Sequence, residues 1–209
     1  MAVEHITTTG FFQLDGGKWE VENNIWLVGD EREVLIIDAA HDHETIVDAV
    51  GDRRVVAIVC THGHNDHINV ALKLREACDA PVFLHPADRM LWDAVYPQVA
   101  PDRDLMAGEV LAAGGHELGV MHTPGHSPGS CCLFDMFNNI IFAGDTLFNG
   151  GPGATGRSYS DESTILRSIR DRLLTLPEQT IVYTGHGSNT TIGEERDGIL
   201  KRISQLAIT

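Results

Sequence analysis

The chain has 209 residues, 43% of them hydrophobic and 22% charged, with a formal net charge of -15. That length holds one substantial domain rather than two, and the proportions are those of an ordinary globular protein. So acidic a balance argues against nucleic acid, whose phosphates call for basic patches, and against an anionic membrane surface; the expected partner is a small molecule in a locally tuned pocket.

Strand-like runs come first: "HITTTGFFQL", "NIWLVG" and "EVLIIDA", with "DGG" at 15–17 as the hairpin turn between the first two. Phe11, Phe12 and Trp19 flank that turn, either as a flap over a site or, the commoner fate of aromatics, packed in a core. A helix-compatible "HDHETIVDAV" follows, then the strand "RVVAIVC". "NVALKLREAC" reads as a helix with Val70, Leu74 and Ala77 on one side. After the short strand "APVFLH", Pro86 opens a helix around "ADRMLWDAVY".

In the second half, "EVLAAG", "HELGVMHT", "SCCLFD" and "NIIFAG" are strand candidates separated by Gly, Pro and Asn. Beyond the Gly-rich "FNGGPGATGRSYS", Ser160 or Asp161 caps a helix running to about Leu176. "QTIVYTG" is the last strand and "GEERDGILKRISQLA" the last helix. Strands and helices alternate loosely, with several hairpin-like neighbours, so sheets are expected at the centre and helices outside, in one domain over 1–209. Cys60, Cys78, Cys131 and Cys132 form no C-x-x-C pair and no disulfide framework; Cys60 reads as a buried small hydrophobe. Without a visible signal peptide or an apolar stretch of membrane-spanning length, a cytoplasmic protein is expected.

The stretch "CTHGHNDHIN" crowds His62, His64, Asp66 and His67 together directly after an apolar run. It is either a His-rich polar loop or half of a metal site, since imidazole and carboxylate both suit zinc and similar divalent ions. Three further segments tip that balance. "HTPGHSPGS" carries His126 in a turn after a strand, "FAGDTLF" ends an apolar strand on Asp145, and "VYTGHGS" sets His186 between two glycines. In each, a strand stops, small residues follow, and a ligand side chain emerges on a loop where sites are commonly built.

"THGHNDH" is the H-x-H-x-D-H signature of the metallo-β-lactamase fold superfamily. From "LIIDA" to "TGHG" the chain resembles that family, with His126, Asp145 and His186 in the remaining ligand segments in order. The resemblance implies an α/β fold, the αββα sandwich with metals at one edge. It also implies two divalent ions per chain, zinc first and iron or manganese as alternatives. His62, His64 and His126 would hold one ion; Asp66, His67 and His186 the other; Asp145 would bridge them. Asp66 would also orient the bridging hydroxide, and Asp38, ending "LIID", would support the metal loop through a hydrogen bond. The other histidines have plainer expected fates: His41, His43 and His116 solvated, His5 at the surface, His122 a satisfied strand histidine, and His85 packed.

Two metals about 3.5–4 Å apart acidify a shared water and polarise a carbonyl, and no other nucleophile competes in the sequence. Metal-assisted hydrolysis is therefore expected. "GDTLFNGGPGATGR" resembles the hydroxyacylglutathione hydrolase (glyoxalase II) group, whose pattern there begins GDTLF-x-GG; that implies a small thioester, or a related ester or lactone. The glutathione-binding helical region of that group has no counterpart after His186, so another thiol carrier stays open. Arg157 and Tyr159, just past the Gly-rich loop, are candidate substrate contacts, although Arg157 serves equally well as a loop cap. The principal rival is a persulfide dioxygenase with one iron on His62, His126 and Asp145. An RNA phosphodiesterase, a β-lactamase and a non-enzymatic metal-binding protein are weaker ones.

Overall fold

A computed structural model describes residues 2–208 of the chain. Asp15 and Gly16 both take left-handed backbone, φ 52° and 75°, the two-residue turn whose twist suits a hairpin. β1 (Ala2–Leu14) therefore folds back on β2 (Gly17–Gly29) along its whole length. β3 (Glu33–Ile37) pairs antiparallel with β2. Beyond it α1 (His43–Val50), capped by the Asp42 carboxylate, leads to β4 (Arg54–Val59), which lies parallel to β3. α2 (Asn65–Ile68) and α3 (Ala71–Cys78) lead to β5 (Val82–Leu84). A 3₁₀ turn, Pro86–Asp88, and α4 (Arg89–Val95) lead to β6 (Arg103–Asp104). These six strands form one sheet in chain order.

A second sheet begins with β7 (Val110–Ala113), β8 (His116–His122), β9 (Cys131–Asp135) and β10 (Ile140–Gly144). A small hairpin, β11 (Leu147–Phe148) and β12 (Gly151–Pro152), interrupts it. α5 (Glu162–Ser168), N-capped by Asp161, widens into a π-helical turn at Ile169–Leu173. The chain then re-enters the sheet as β13 (Ile181–Thr184), parallel to β10, and β14 (Thr190–Thr191), and ends in α6 (Ile192–Gln205).

The alternation of side chains along each strand sorts the apolar residues into three layers. Trp26, Val28, Leu35, Ile37 and Val59 of the first sheet meet Leu118, Val120, Leu133 and Phe142 of the second between the sheets. Ile25, Leu27, Val34 and Ile36 face the other way, against Ile46 of α1, Leu74 of α3 and Trp92 of α4. Ile141 and Val182 pack outward on Ile165, Ile169 and Ile199. This is the αββα sandwich. At α3 Val70 and Leu74 are buried as expected, together with Ala71, and Cys78 packs against them; Ala77 alone departs, being exposed, because the helix turns that position away from the sheet. All four cysteines are free, with Cys60 buried as expected. No helix among the described residues is long and apolar enough to cross a membrane.

Candidate metal centre

Five strands deliver the site from their C-terminal ends, at one rim of the sandwich. Asp38 follows β3, His62 to His67 follow β4, His126 follows β8, Asp145 follows β10 and His186 follows β13. Gly185 is required where it stands, because a Cβ there would overlap Asp145 Oδ1 and press on His67. Gly144 (φ 48°) likewise lets the chain turn against Thr61 before Asp145.

The seven side chains converge. His62 Nε2 and His126 Nε2 lie 3.0 and 2.9 Å from His64 Nδ1. His67 Nε2 is 3.2 Å from His186 Nε2 and 3.6 Å from Asp66 Oδ2. Asp145 reaches both groups: Oδ1 is 3.4 Å from His67 Nε2, and Oδ2 is 3.4 Å from both His126 Nε2 and His186 Nε2. Three overlapping trios result, His62–His64–His126, His62–His67–Asp145 and Asp66–His67–His186, with ligand atoms inside 4.8 Å of one another in each.

The opposite ring nitrogens explain why Nε2 of four rings points inward. His126 Nδ1 donates to the Ala154 carbonyl at 2.8 Å and His186 Nδ1 to the Glu22 carbonyl at 2.6 Å. His67 Nδ1 donates to Asp38 Oδ2 at 2.9 Å. The Thr61 hydroxyl donates its single proton to Asp38 at 3.0 Å, so its oxygen accepts from His62 Nδ1 at 3.1 Å. Each of these rings thus holds one proton outside and turns Nε2 to the cluster, the arrangement that outer hydrogen bonds impose on metal ligands. His64 is turned the other way, with Nδ1 inward and Nε2 buried without a hydrogen-bond partner.

The donor set fits divalent ions. Asp66 Oδ1 and Asp145 Oδ1 are buried carboxylate oxygens with no hydrogen-bond partner, which is costly unless a cation or a water bound to one meets them. An ion about 2.0–2.1 Å from each nitrogen of a tetrahedral set spaces its ligands by roughly 3.3 Å, close to the separations in the cluster. Electrostatics point the same way. Burial, then neighbouring histidines, push His62 well down and His64 to about 3. Burial also pushes against the charge on His67 and His186, but carboxylates outweigh it. Asp145, Asp38 and Asp66 hold His67 well up, and Asp145 with Asp66 lifts His186 to about 10. Burial raises Asp66 and Asp145, yet the same two imidazoles pull both down, Asp66 to about 2. The carboxylates thus take from protonated rings the positive charge that a metal would otherwise supply.

Over this centre lies a cleft of about 360 Å³ walled by Phe12, Trp19, Val21, Phe148 and Ala154, with Arg157 at its side. The Arg157 guanidinium stacks on Trp19 at 3.7 Å and does not cap its loop; the Ser160 hydroxyl does that, accepting from the Gly156 and Arg157 amides. Tyr159 is exposed and outside the cleft lining. Phe12 and Trp19 stand over the site rather than in a core, so the commoner fate of aromatics does not apply to them. His116 is not solvated: it is buried and paired with Asp135 at 2.7 Å. His41 is not free either, because its Nε2 meets Asn23 Oδ1 at 2.9 Å. His5 stacks on Trp26, and His85 packs face to face on His122, whose Nε2 donates to the Pro128 carbonyl. Two residues went unsuspected. Asn23 donates to the Asp66 carbonyl and carboxylate, and Asn24 donates to the Thr184 and Gly187 carbonyls on either side of His186. Their signal was present: paired amides inside an apolar strand need buried partners.

The description of the metallo-beta-lactamase superfamily matches residues 19–186, a span that contains all seven converging side chains. The chain belongs to that superfamily. Membership makes it a metal-binding protein of general hydrolase type. Within the superfamily, hydroxyacylglutathione hydrolase GloC of Haemophilus influenzae is 31% identical, over 94% of this chain and 95% of the relative. Among solved structures, the B3 metallo-beta-lactamase BLEG-1 superposes with a TM-score of 0.77 at 30% identity, over 91% of this chain and 97% of the other. TTHA1623, solved in a di-iron-bound form, gives 0.74 at 32%, over 84% and 93%.

Proposed function

We propose that this superfamily member is a hydrolase that works with two divalent metal ions, zinc first and iron or manganese otherwise, on a small thioester or a related ester or lactone. The observation that carries the reading is the convergence of two complete ligand trios on a shared Asp145. His62, His64 and His126 would hold one ion, Asp66, His67 and His186 the other, and Asp145 both. When bound, such a pair supplies an acidified water and a Lewis-acid pull on a carbonyl oxygen. The chain's own side chains do the rest. Asp66 Oδ1, without a partner, accepts a hydrogen from the attacking water and so aims it. Phe12, Trp19 and Phe148 keep bulk water from the acyl group, and Arg157 meets an anionic end of the substrate. A thiolate leaving group is stable enough near neutral pH to need no strong acid.

The name of the Haemophilus influenzae relative supports the thioester reading, and the likeness to the B3 metallo-beta-lactamase BLEG-1 adds a β-lactam to the substrates worth trying. A single-iron persulfide dioxygenase on His62, His126 and Asp145 would leave the Asp66–His67–His186 trio without work, which favours the two-ion hydrolase. The test is a screen of S-acyl low-molecular-weight thiols, esters, lactones and a β-lactam on protein of measured metal content. Thioester turnover lost on chelation and restored by metal is expected. Turnover that survives exhaustive chelation, or oxygen uptake with a persulfide in place of hydrolysis, overturns the reading.

A further inference from the structure

Asp88 closes the 3₁₀ turn before α4, where its position in the sequence suggests a helix cap. Its side chain caps nothing in α4. The carboxylate is instead wholly buried and accepts three hydrogen bonds from two other loops. Oδ2 takes the Gly63 amide at 2.7 Å and the Ser127 hydroxyl at 2.6 Å, and Oδ1 takes the Gly129 amide at 2.5 Å. Gly63 lies between His62 and His64, and Ser127 directly follows His126. The two loops are also packed onto Asp88 so closely that a Cβ at Gly63 would stand 2.9 Å from Asp88 Cβ, and one at Gly129 2.7 Å from Asp88 Cγ. No bond from this carboxylate goes to Asp66, His67 or His186, which are held instead by Asn23, Asp38 and the Glu22 carbonyl.

We propose that Asp88 is the positioning residue for one half of the centre: it fixes the two loops that carry His62, His64 and His126, and leaves the Asp66–His67–His186 half alone. The inference rests on the two-ion reading above. Its physical basis is that loop backbones have no sheet ladder to hold them, so ligand spacing within about half an ångström needs a fixed internal partner. A buried carboxylate with three donors is such a partner, because the Gly63 and Gly129 amides are left unsatisfied without it, while the Ser127 hydroxyl keeps only Ser130 Oγ at 2.8 Å. Asp88→Asn keeps the size but replaces one acceptor oxygen with a donor, so at least one loop amide or hydroxyl faces a like group.

The experiment isolates each half. His67→Ala leaves only the three-histidine trio and His62→Ala leaves only the Asp66–His67–His186 trio; Asp88→Asn is added to each, and Zn²⁺ affinity is measured by competition with a chromophoric chelator. Asp88→Asn is expected to weaken Zn²⁺ binding about 10- to 100-fold in the His67→Ala chain, the scale of an outer ligand contact, and to leave the His62→Ala chain nearly unchanged. The absorption bands of bound Co²⁺ should shift in the first chain only. Equal weakening in both chains would mean a general structural role and overturns the proposal, as does no weakening in the first. Should Asp88→Asn fail to fold, Ser127→Ala removes one of the three bonds and must give a smaller loss confined to the same chain. A wild-type chain that binds no Zn²⁺ overturns the two-ion reading itself, whereas two ions bound with Asp88→Asn indistinguishable from wild type overturns this inference alone.

Discussion

Asp38 pairs an unfavourable backbone with a favourable side chain. Its φ of 66° is left-handed, costing a non-glycine residue about 1–2 kcal/mol. In that conformation its carboxylate accepts the Thr61 amide at 2.7 Å, the Thr61 hydroxyl and His67 Nδ1. Asp38→Ala should therefore lose roughly 3 kcal/mol of stability in urea unfolding of the metal-free chain. Asp38→Gly loses the same bonds but not the backbone preference, and should unfold about 1 kcal/mol later than Asp38→Ala. Coincident curves would show that the left-handed turn carries no strain. Arg157 bears on the substrate instead. Among the described residues its guanidinium has no hydrogen-bond or ion-pair partner and lies over the Trp19 ring, Cζ 3.7 Å from the centroid. Arg157→Ala should raise KM for a carboxylate-bearing thioester about tenfold with little change in kcat, and leave KM for a neutral ester unchanged; equal effects on both would return Arg157 to a packing role.

The β1–β2 hairpin shows what an element adds beyond its residues. Its tip overhangs the first sheet and is held at two points: Asn65 of α2 bonds the Gln13 amide and the Phe11 carbonyl, and Asp15 accepts the Ser158 amide. Cutting the first point with Asn65→Ala should let the tip, with Phe12 and Trp19, lift from the cleft. The expected result is a several-fold rise in KM for any acyl substrate and faster protease nicking between Leu14 and Trp19, with the metal content unchanged; loss of metal would mean that Asn65 supports the ligand loop instead. The turn itself was legible, because Asp-Gly between strand-like runs has few other uses. The fate of its aromatics was not, since nothing local distinguishes an aromatic on an overhanging tip from one that packs. The same limit explains α3, where Val70 and Leu74 are buried as their spacing suggests but the sheet takes Cys78 rather than Ala77. Asp88 was beyond local reading for a related cause: one carboxylate at a helix start gives no hint that its partners lie 25 to 41 residues away.

At the scale of the molecule, strands that are buried on both faces read as unbroken apolar runs such as "LII" and "VVAIV". Their existence and order were therefore plain, while which residue faced which layer was not. The candidate cluster was legible from the H-x-H-x-D-H spacing after β4 and from the other three segments, in each of which a strand stops, small residues follow and a His or Asp emerges. What the sequence could not carry is how the assembled cluster distributes protons, and that governs the chain's response to pH. In the metal-free protein His67 and His186 keep protons that an unfolded chain would release near 6.5. Their stabilisation is complete below that pH and is lost as pH rises, for His186 through about 10. His62 and His64 do the opposite, for they refuse protons that an unfolded chain takes up below 6.5, so stability falls as pH drops beneath it. Asp66 and Asp145, held low, add a further loss once an unfolded carboxylate would protonate, below 3.8. The two histidine slopes meet near pH 6.5, where the metal-free chain should have its highest Tm, and the carboxylate slope steepens the loss only below 3.8. Metal reverses the alkaline slope: to bind, it must displace the protons on His67 and His186, which becomes easier as pH rises. The gain in Tm on adding Zn²⁺ should thus grow steadily between about pH 6 and 8. Thermal scans of chelated and Zn²⁺-loaded protein across that range check both statements, and a Zn²⁺ gain that stays flat or shrinks would place the displaced protons elsewhere than on these two rings.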